Sequence, residues 1–204
     1  MPELTTDSYG SEVFLAVNGT FAGYMVISDT IKSDAVSAIR KLKALGLHSV
    51  MLTGDSQSGA DAVAVATGID EVHAKLLPEG KLNELGKIRN KYGAVMFVGD
   101  GINDAPVLAG ADVGAAMGTG ADAAIEAADV VFMTSSTEAI PQSINISKAT
   151  NRIAIQNVVF ALAIKIIVMI MGLFGFANMW IAVFADTGVS VLCRLNSIRI
   201  LHRK

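Results

Sequence analysis

The stretch AVMFVGDGINDAPVLAGA, residues 94–111, decides the fold. A short apolar run ends in a glycine-rich turn, and a helix-like segment of small and apolar residues follows directly. The same strand, turn and helix pattern occurs in HSVMLTGDSQSGADAVAVATG at residues 48–68 and in DVGAAMGTGADAAIEAADVVFM at residues 112–133. Short buried strands that alternate with helices predict an α/β domain built on a mainly parallel sheet.

The turn in this stretch contains the first candidate site. Asp100 and Asp104 are four residues apart, flanked by Gly99 and Gly101, which allow the backbone to bend tightly. Two carboxylates and the Asn103 amide are the hard oxygen ligands that Mg²⁺ prefers. The turn taken alone leaves open an ordinary Gly-Asp loop without a ligand, because such turns are common.

Two other turns add groups suited to phosphate. Thr53 in MLTGD offers a hydroxyl, and Gly54 offers an unhindered backbone amide. Lys81 in LLPEGK lies at the start of a predicted helix, where its ammonium and the free backbone amides both favour an anion. Chemistry in parallel sheets collects beyond the carboxyl ends of the strands, so these groups and the acidic pair form a candidate phosphoryl-transfer site. The sequence has no G-x-x-x-x-G-K-[ST] phosphate loop.

Composition restricts the partners and the compartment. The net charge of -3 gives no basic footprint for nucleic acid, so we expect none as a partner. The single cysteine excludes an intramolecular disulfide, and the first residues have neither the basic nor the apolar region of a signal peptide. We therefore expect the α/β part to be cytosolic.

Two long apolar runs, residues 153–171 and 179–195, follow the α/β part. Each approaches the roughly 20 residues that cross a bilayer, and GFAN between them is a turn sequence. Lysine and arginine lie before and after the runs but not in the turn, which predicts a transmembrane hairpin with both ends in the cytosol. The alternative is a pair of helices buried in a water-soluble protein.

Each run contains one charge, Lys165 in the first and Asp186 in the second. If the turn is centred near Phe176, helices that rise about 1.5 Å per residue bring both charges to nearly the same depth, where they can pair. A lone charge at mid-bilayer costs at least about 2.5 to 3.5 kcal/mol and usually marks an ion or substrate pathway. An ion pair that only locks the two helices together stays open as the other reading.

These motifs together resemble a known family. TGD at 53–55, PEGK at 78–81, GDGINDAP at 99–106, DTIK at 29–32 and AMGTGADAAIEAAD at 116–129 are similar to the phosphorylation domain of P-type ATPases, which has the haloacid dehalogenase-like fold. The closing hairpin, with its lysine and ADTG, resembles that of the zinc, cadmium and lead exporters. The resemblance runs from about residue 12 to the end.

The resemblance implies a role for each matching residue. Asp100 would bind Mg²⁺, and Asp104 would support the same ion and the phosphate, with Asn103 beside them. Thr53 and Gly54 would hold the transferred phosphoryl group, which Lys81 would neutralise. Asp29 and Asp55 would belong to the hinge on the nucleotide side. Asp55 would also be one of the catalytic residues. In the bilayer, Asp186 would bind the transported divalent ion, and Lys165 would be its counter-charge and assist release.

The resemblance also implies how the chain is divided into domains and that it is one part of a longer pump. Residues 1–28 would be an entry hairpin from a nucleotide-binding region, 29–147 the phosphorylation domain, and 148–204 the hairpin with a short basic tail. The phosphorylated aspartate of D-K-T-G-T is absent, as are the other pump domains and the Cys-Pro-Cys helix. We therefore expect about the last third of a pump, which needs Mg²⁺, ATP and the upstream domains and is inactive alone. Gly80 replaces the acidic residue usual in P-E-D-K.

Two other functions stay open at this point. A free-standing phosphatase of the same superfamily would use Asp29 as nucleophile, although Ile31 stands where a second acid is usual. A truncated chain could instead act as a membrane-bound, non-catalytic partner of a complete pump. The methionines in the hairpin, Cys193 and the histidines are read as structural, and the motifs of copper exporters are not seen, which favours zinc-like ions.

Overall fold

A computed structural model of the chain describes residues 11–27, 30–118, 120–176 and 178–202. The chain divides into two compact units, the first ending at Ala139 and the second beginning at Ile140. We call them the α/β unit and the hairpin unit. The domain bounds expected from the sequence placed a division later, after residue 147, and stay a proposal.

The α/β unit starts with an antiparallel hairpin of β1 (Ser11–Val17) and β2 (Thr20–Ile27). Asn18 and Gly19 form its turn with φ values of 52° and 79°. Two positive φ values are the mark of the type I′ turns that asparagine and glycine favour, because their backbone twist suits the flanking strands. The predicted hairpin is confirmed.

Strands and helices then alternate as predicted. The elements are α1 (Ala35–Ala44), β3 (Val50–Leu52), α2 (Gln57–Thr67), β4 (Glu71–His73), α3 (Pro78–Tyr92), β5 (Met96–Gly99), α4 (Ala105–Gly110), β6 (Val113–Met117), α5 (Asp122–Ala127) and β7 (Val130–Phe132).

All pairs among β3 to β7 are parallel, as the sequence predicts. The strands form two sheets, one of β3 and β4 and one of β5, β6 and β7, with β6 in the middle. Within the described residues, β3 and β5 each pair on one side only. The predicted parallel strands are confirmed, and among the described residues β4 and β7 likewise pair on one side only, whereas β6 is paired on both sides.

The helix ends follow from local sequence. The Ser56 hydroxyl caps α2 by accepting a hydrogen bond from the Gly59 amide at 3.3 Å, and Gly68 ends that helix at φ 82°. Pro78 starts α3 at a position where no backbone donor is lost, as predicted, and Gly93 ends it. The turns before α2 and α3 therefore have defined positions, which matters because they contain candidate site residues.

A small core holds the second sheet to its helices. Leu108 of α4, Ala116 of β6 and Ala124 of α5 are fully buried and in contact. Phe97 of β5 packs against them. A Cβ added to Gly114 would lie 2.4 Å from the Leu108 carbonyl oxygen, so glycine allows α4 to approach β6 closely. This packing fixes the carboxyl end of β5.

The hairpin unit contains α6 (Ala139–Leu173), α7 (Met179–Val183), a π-helical turn (Phe184–Gly188), α8 (Val189–Ile198) and a 3-10 turn (Arg199–His202). Helix α6 begins well before residue 153, because nothing between its first turn and the apolar run breaks a helix. Two segments are long and apolar enough to span a membrane, Ala139–Leu173 and Met179–Leu201. The predicted pair of apolar helices is confirmed, but the second contains an unexpected π-turn.

Candidate functional site

Asp100 directly follows β5, and its side chain is exposed. Its carbonyl oxygen accepts a hydrogen bond from the Ala121 amide at 2.9 Å, which ties the turn after β5 to the turn after β6. A Cβ on Gly120 would lie 2.6 Å from the same oxygen. No described side chain pairs with the Asp100 carboxylate, so the backbone is fixed while the oxygens stay available. Asn103, on the same turn, is exposed as well.

Lys81 and Asp104 form a closed ion pair. The Lys81 Nζ lies 2.8 Å from Asp104 Oδ1, and the two side chains are only 17% and 13% exposed. Asp104 Oδ2 accepts a second hydrogen bond, from the Gly101 amide at 3.3 Å. A Cβ on Gly99 would lie 2.9 Å from the Asp104 Cβ, so only glycine leaves room for this side chain. The first turn of α3 and the end of β5 thus meet through these two side chains.

The turn after β3 has its own internal hydrogen bonds. Thr53 Oγ1 donates to Asp55 Oδ2 at 2.8 Å and accepts from the Asp55 amide at 3.1 Å. The Thr53 amide donates to His73 O, and its carbonyl accepts from the Leu76 amide, both at 3.0 Å. A Cβ on Gly54 would lie 3.3 Å from the Leu76 carbonyl oxygen. The turn is held against the segment after β4, and the Gly54 amide donates to no described group.

The structure brings some of the predicted residues together and leaves others apart. Lys81 contacts Asp104, and Thr53 contacts Asp55, but no hydrogen bond or ion pair among the described residues joins the two pairs. Asp29, expected at the nucleotide hinge, lies outside the described residues. Nowhere in the described ranges do three or more His, Cys, Asp or Glu side chains form a group that could hold a metal ion by themselves.

The second candidate site lies in the hairpin unit. Lys165 Nζ on α6 is 3.4 Å from Asp186 Oδ1, and the side chains are 59% and 79% exposed. Both line a cavity of about 300 Å³, together with Val168, Met169, Ala182 and Ala185. Lys165 and Asp186 lie opposite each other, in agreement with the common depth predicted from the sequence. The cavity beside them offers space for a ligand. Met169, read from the sequence as packing, borders this space.

Asp186 belongs to the π-helical turn Phe184–Gly188. The Val189 amide reaches back to the Phe184 carbonyl, and the Ser190 hydroxyl donates to the Asp186 carbonyl at 2.8 Å. A Cβ on Gly188 would lie 2.8 Å from the Phe184 ring, so glycine makes the wider turn possible. Turns of this kind are frequent at functional sites. The sequence signal for it was the glycine two positions after the aspartate.

Two polar clusters of the α/β unit were not expected from the sequence. Ser136 and Thr137 donate to the Asp34 carboxylate at 2.6 Å each and hold its pKa well below the usual range. Because Asp34 precedes α1, these bonds anchor the segment that leads into α6. No local pattern predicts them, since the partners are about a hundred residues apart in the chain.

The second cluster surrounds Glu71 at the start of β4. Tyr92 donates to its carboxylate at 2.6 Å and Lys91 at 3.1 Å, and these contacts lower the pKa of Glu71 to about 2. The Nε2 atoms of His73 and His48 lie 3.0 and 3.4 Å from its two oxygens. The two histidines therefore share a carboxylate, in agreement with the structural role expected for them.

Comparisons with known proteins bear on both sites. Residues 3–112 match the family of haloacid dehalogenase-like hydrolases, and residues 81–144 match a second family of the same description. The chain is 50% identical to a zinc-transporting ATPase of Synechocystis sp. over 96% of its own length. It is 46% identical to a cadmium, zinc and cobalt-transporting ATPase of Bacillus subtilis over 99% of its length.

A solved structure shows the same likeness. The crystal structure of a zinc-transporting PIB-type ATPase matches 93% of this chain with a TM-score of 0.84 and 39% identity. The chain spans 28% and 30% of the length of the two relatives and 31% of that solved chain. The resemblance expected from the motifs is thereby confirmed, and so is the membrane location expected from the two apolar helices.

Proposed function

The chain belongs to the haloacid dehalogenase-like hydrolases, and from that premise we propose that it is part of an ATP-driven exporter of divalent heavy-metal ions such as Zn²⁺, Cd²⁺ and Pb²⁺. One observation carries the proposal: the same chain contains a Lys81–Asp104 pair, which joins the first turn of α3 to the turn after β5, and a Lys165–Asp186 pair beside a cavity in an apolar hairpin. The first suits phosphoryl transfer, and the second suits a transported cation.

The donor set after β5 fits Mg²⁺. The exposed Asp100 carboxylate is free of described partners, while both oxygens of Asp104 already accept hydrogen bonds from Lys81 and the Gly101 amide. We therefore assign direct binding of the ion to Asp100, and to Asp104 the positioning of Lys81 with secondary support of the ion. Mg²⁺ keeps several waters, so one or two carboxylates suffice. When bound, it supplies positive charge that neutralises a transferring phosphoryl group.

The phosphoryl group would be held by the turn after β3. The Gly54 amide has no described acceptor, and the Thr53 hydroxyl can leave Asp55 for a phosphate oxygen. Lys81 adds positive charge at the start of α3, where the helix dipole also favours an anion. Asp55 keeps the Thr53 side chain in place until then.

The phosphorylated aspartate has to come from elsewhere, since the 204 residues contain no D-K-T-G-T. We propose that an upstream segment supplies it on a strand that pairs with the unpaired edges of β3 and β5. The same segment would bring the nucleotide-binding region, and with it ATP and the hinge predicted at Asp29. Without these parts the chain would not autophosphorylate.

Asp186 would bind the transported ion. Its carboxylate faces the cavity from the π-turn, and the nearby Lys165 ammonium lies at 3.4 Å, longer than the 2.7–2.9 Å typical of a charge-assisted hydrogen bond. An arriving divalent cation can replace the ammonium as partner of the carboxylate. The ammonium then repels the ion and favours its release.

The test uses the native polypeptide that carries this sequence, reconstituted in lipid vesicles. ATP hydrolysis with Mg²⁺ should rise on addition of Zn²⁺ or Cd²⁺, and Asp186→Ala should abolish the rise while amide hydrogen exchange in the α/β unit stays unchanged. Asp61→Ala is a matched control, because Asp61 is a surface carboxylate that contacts Gln57. Stimulation that survives Asp186→Ala would remove Asp186 from the transport site.

The free-standing phosphatase and the non-catalytic regulator are not favoured, because the relatives that match nearly the whole chain are transporting ATPases. The phosphatase would need Asp29 as its nucleophile. Hydrolysis of a model phosphate ester by this chain with Mg²⁺, lost in Asp29→Asn, would restore that reading.

A further inference from the structure

A network of hydrogen bonds centred on Asn157 joins α6 to α8. Asn157 Nδ2 donates to the Cys193 carbonyl oxygen at 3.1 Å and to the Ser197 hydroxyl at 2.9 Å. Asn157 Oδ1 accepts from Asn196 Nδ2 at 2.8 Å. Both N–H groups and the carbonyl of this amide are therefore used. We call these four residues the Asn157 network.

The network also engages the backbone and the lone thiol. Cys193 Sγ donates to the Asn157 carbonyl oxygen at 3.7 Å, so each helix contributes a carbonyl acceptor to the other. The Ser197 hydroxyl also donates to the Cys193 carbonyl at 3.0 Å. Asn157 takes part in each of the four hydrogen bonds described here between α6 and α8. Substituting this one side chain would disconnect most of the network.

The ion pair lies midway between this network and the turn of the hairpin. At a rise of 1.5 Å per residue, Lys165 is about 12 Å from Asn157 and about 12 Å from Leu173 at the end of α6. Asp186 is likewise about 10 Å from Cys193 and about 10 Å from Met179 at the start of α7. The covalent turn closes one end of the hairpin, and the Asn157 network closes the other.

In a lipid bilayer, the end of the hairpin opposite the covalent turn needs contacts of its own to stay closed. Apolar helices have little hydrophobic reason to associate there, since lipid tails are as apolar as leucine, and interhelical hydrogen bonds therefore contribute to holding them together. We propose that Asn157 is a positioning residue, which closes the open end of the hairpin and so holds Lys165 opposite Asp186. The proposal rests on the proposed function for the role of that pair in binding the transported ion.

Cys193 provides a natural reporter, because it is the one cysteine of the sequence and its thiol contacts Asn157. The complete chain is placed in lipid nanodiscs, and two quantities are measured: the rate of Cys193 alkylation by N-ethylmaleimide and the dissociation constant for Zn²⁺. The variants are Asn157→Ala, Asn157→Gln and, as matched control, Gln156→Ala. Gln156 is the neighbouring amide, is exposed, and makes no hydrogen bond to a described residue.

We expect Asn157→Ala to speed the alkylation of Cys193 and to weaken Zn²⁺ binding roughly threefold for each hydrogen bond lost, the size typical of such bonds in membranes. Asn157→Gln should recover part of both effects, because it keeps the amide, and Gln156→Ala should behave like the unaltered chain. Faster alkylation with unchanged Zn²⁺ affinity would overturn the positioning role, and unchanged alkylation would overturn the closure.

Failure of the proposed function gives a different result. If the unaltered chain binds no Zn²⁺, the metal site assigned to Asp186 is wrong. The alkylation rates of Asn157→Ala and Gln156→Ala then still decide whether Asn157 closes the hairpin.

Discussion

Each unit of the molecule contains a lysine paired with an aspartate, and the two pairs differ in geometry. Lys81 and Asp104 are 2.8 Å apart and largely shielded from solvent, and a backbone amide completes the bonding of the carboxylate. Lys165 and Asp186 are 3.4 Å apart, are more than half exposed, and border a cavity. The same two residue types form a closed contact in one unit and an open one in the other.

The difference separates two roles for an ion pair. A closed pair fixes the relative position of the elements that carry it. If one partner leaves, the other stays behind as an unpaired charge shielded from water, which is costly. An open pair beside a cavity can exchange one partner for a ligand at lower cost. The same substitution at the two lysines should therefore have unlike consequences, and this is how the comparison can be tested.

The largest effect is expected for Lys165→Met in the hairpin unit. Removal of a positive charge so close to Asp186 should tighten Zn²⁺ binding by about a hundredfold, since the ammonium no longer competes with the ion. Isothermal titration of Zn²⁺ into the chain in nanodiscs measures this. Met169→Leu, which changes the wall of the same cavity but no charge, is the control and should leave the affinity unchanged. Weaker binding in Lys165→Met would contradict the counter-charge role.

Lys81→Met is the matching change in the α/β unit, with a smaller and different effect. It leaves the shielded Asp104 carboxylate without its cation, which should lower the free energy of unfolding by about 2 kcal/mol, less than for a fully buried pair. Amide hydrogen exchange of α3 and α4, resolved by mass spectrometry, measures the loss. Lys87→Met is the control, because the Lys87 side chain is 72% exposed and its pair with Glu84 should contribute little. Equal losses would mean that the first pair is not closed.

Gly99→Ala tests whether the backbone beside Asp104 leaves room for any residue other than glycine. The new Cβ would lie 2.9 Å from the Asp104 Cβ and should displace that side chain, at a cost of about 1 to 2 kcal/mol of stability. Gly86→Ala is the control on α3, where an added Cβ meets nothing within 4 Å and alanine favours the helix. The same exchange experiment applies. If Gly99→Ala proves as harmless as the control, Asp104 has more freedom than the closed pair implies.

The smallest effect is a pH dependence confined to the α/β unit. Hydrogen bonds from Tyr92 and Lys91 lower the pKa of Glu71 from 4.5 to about 2, so the folded unit holds fewer protons than the unfolded chain between about pH 2 and pH 5. The stabilisation is complete above about pH 5 and is lost as the pH falls towards 2. Thermal melting between pH 5 and 2 should fall less steeply in Glu71→Gln than in Glu79→Gln. If the melting temperatures of the two variants fall equally with pH, the lowered pKa of Glu71 does not contribute to stability.

The sequence predicted those parts of the molecule that depend on local pattern. Asn18-Gly19 predicted a hairpin, Pro78 a helix start, and the spacing of Lys165 and Asp186 from the turn a common depth. Each follows from backbone preferences or helical rise, which act over a few residues. The alternation of strands and helices similarly predicted a parallel sheet.

Features that depend on distant partners were not predictable in this way. Asn157 reads in sequence as a polar exception in an apolar run, and its partners on α8 are 36 to 40 residues away. The division into two sheets depends likewise on which strands are neighbours, and local pattern does not encode that.

Helix α6 has 35 residues and so is about 52 Å long, whereas the hydrocarbon core of a bilayer is about 30 Å thick. Its one proline lies in the first turn and its one glycine next to the last residue, so no weak point interrupts it. A helix without an interruption can tilt as a single rigid body. A tilt of about 10° at one end displaces the other by about 9 Å. That is more than twice the 3.4 Å between Lys165 Nζ and Asp186 Oδ1, and no backbone hydrogen bond has to break.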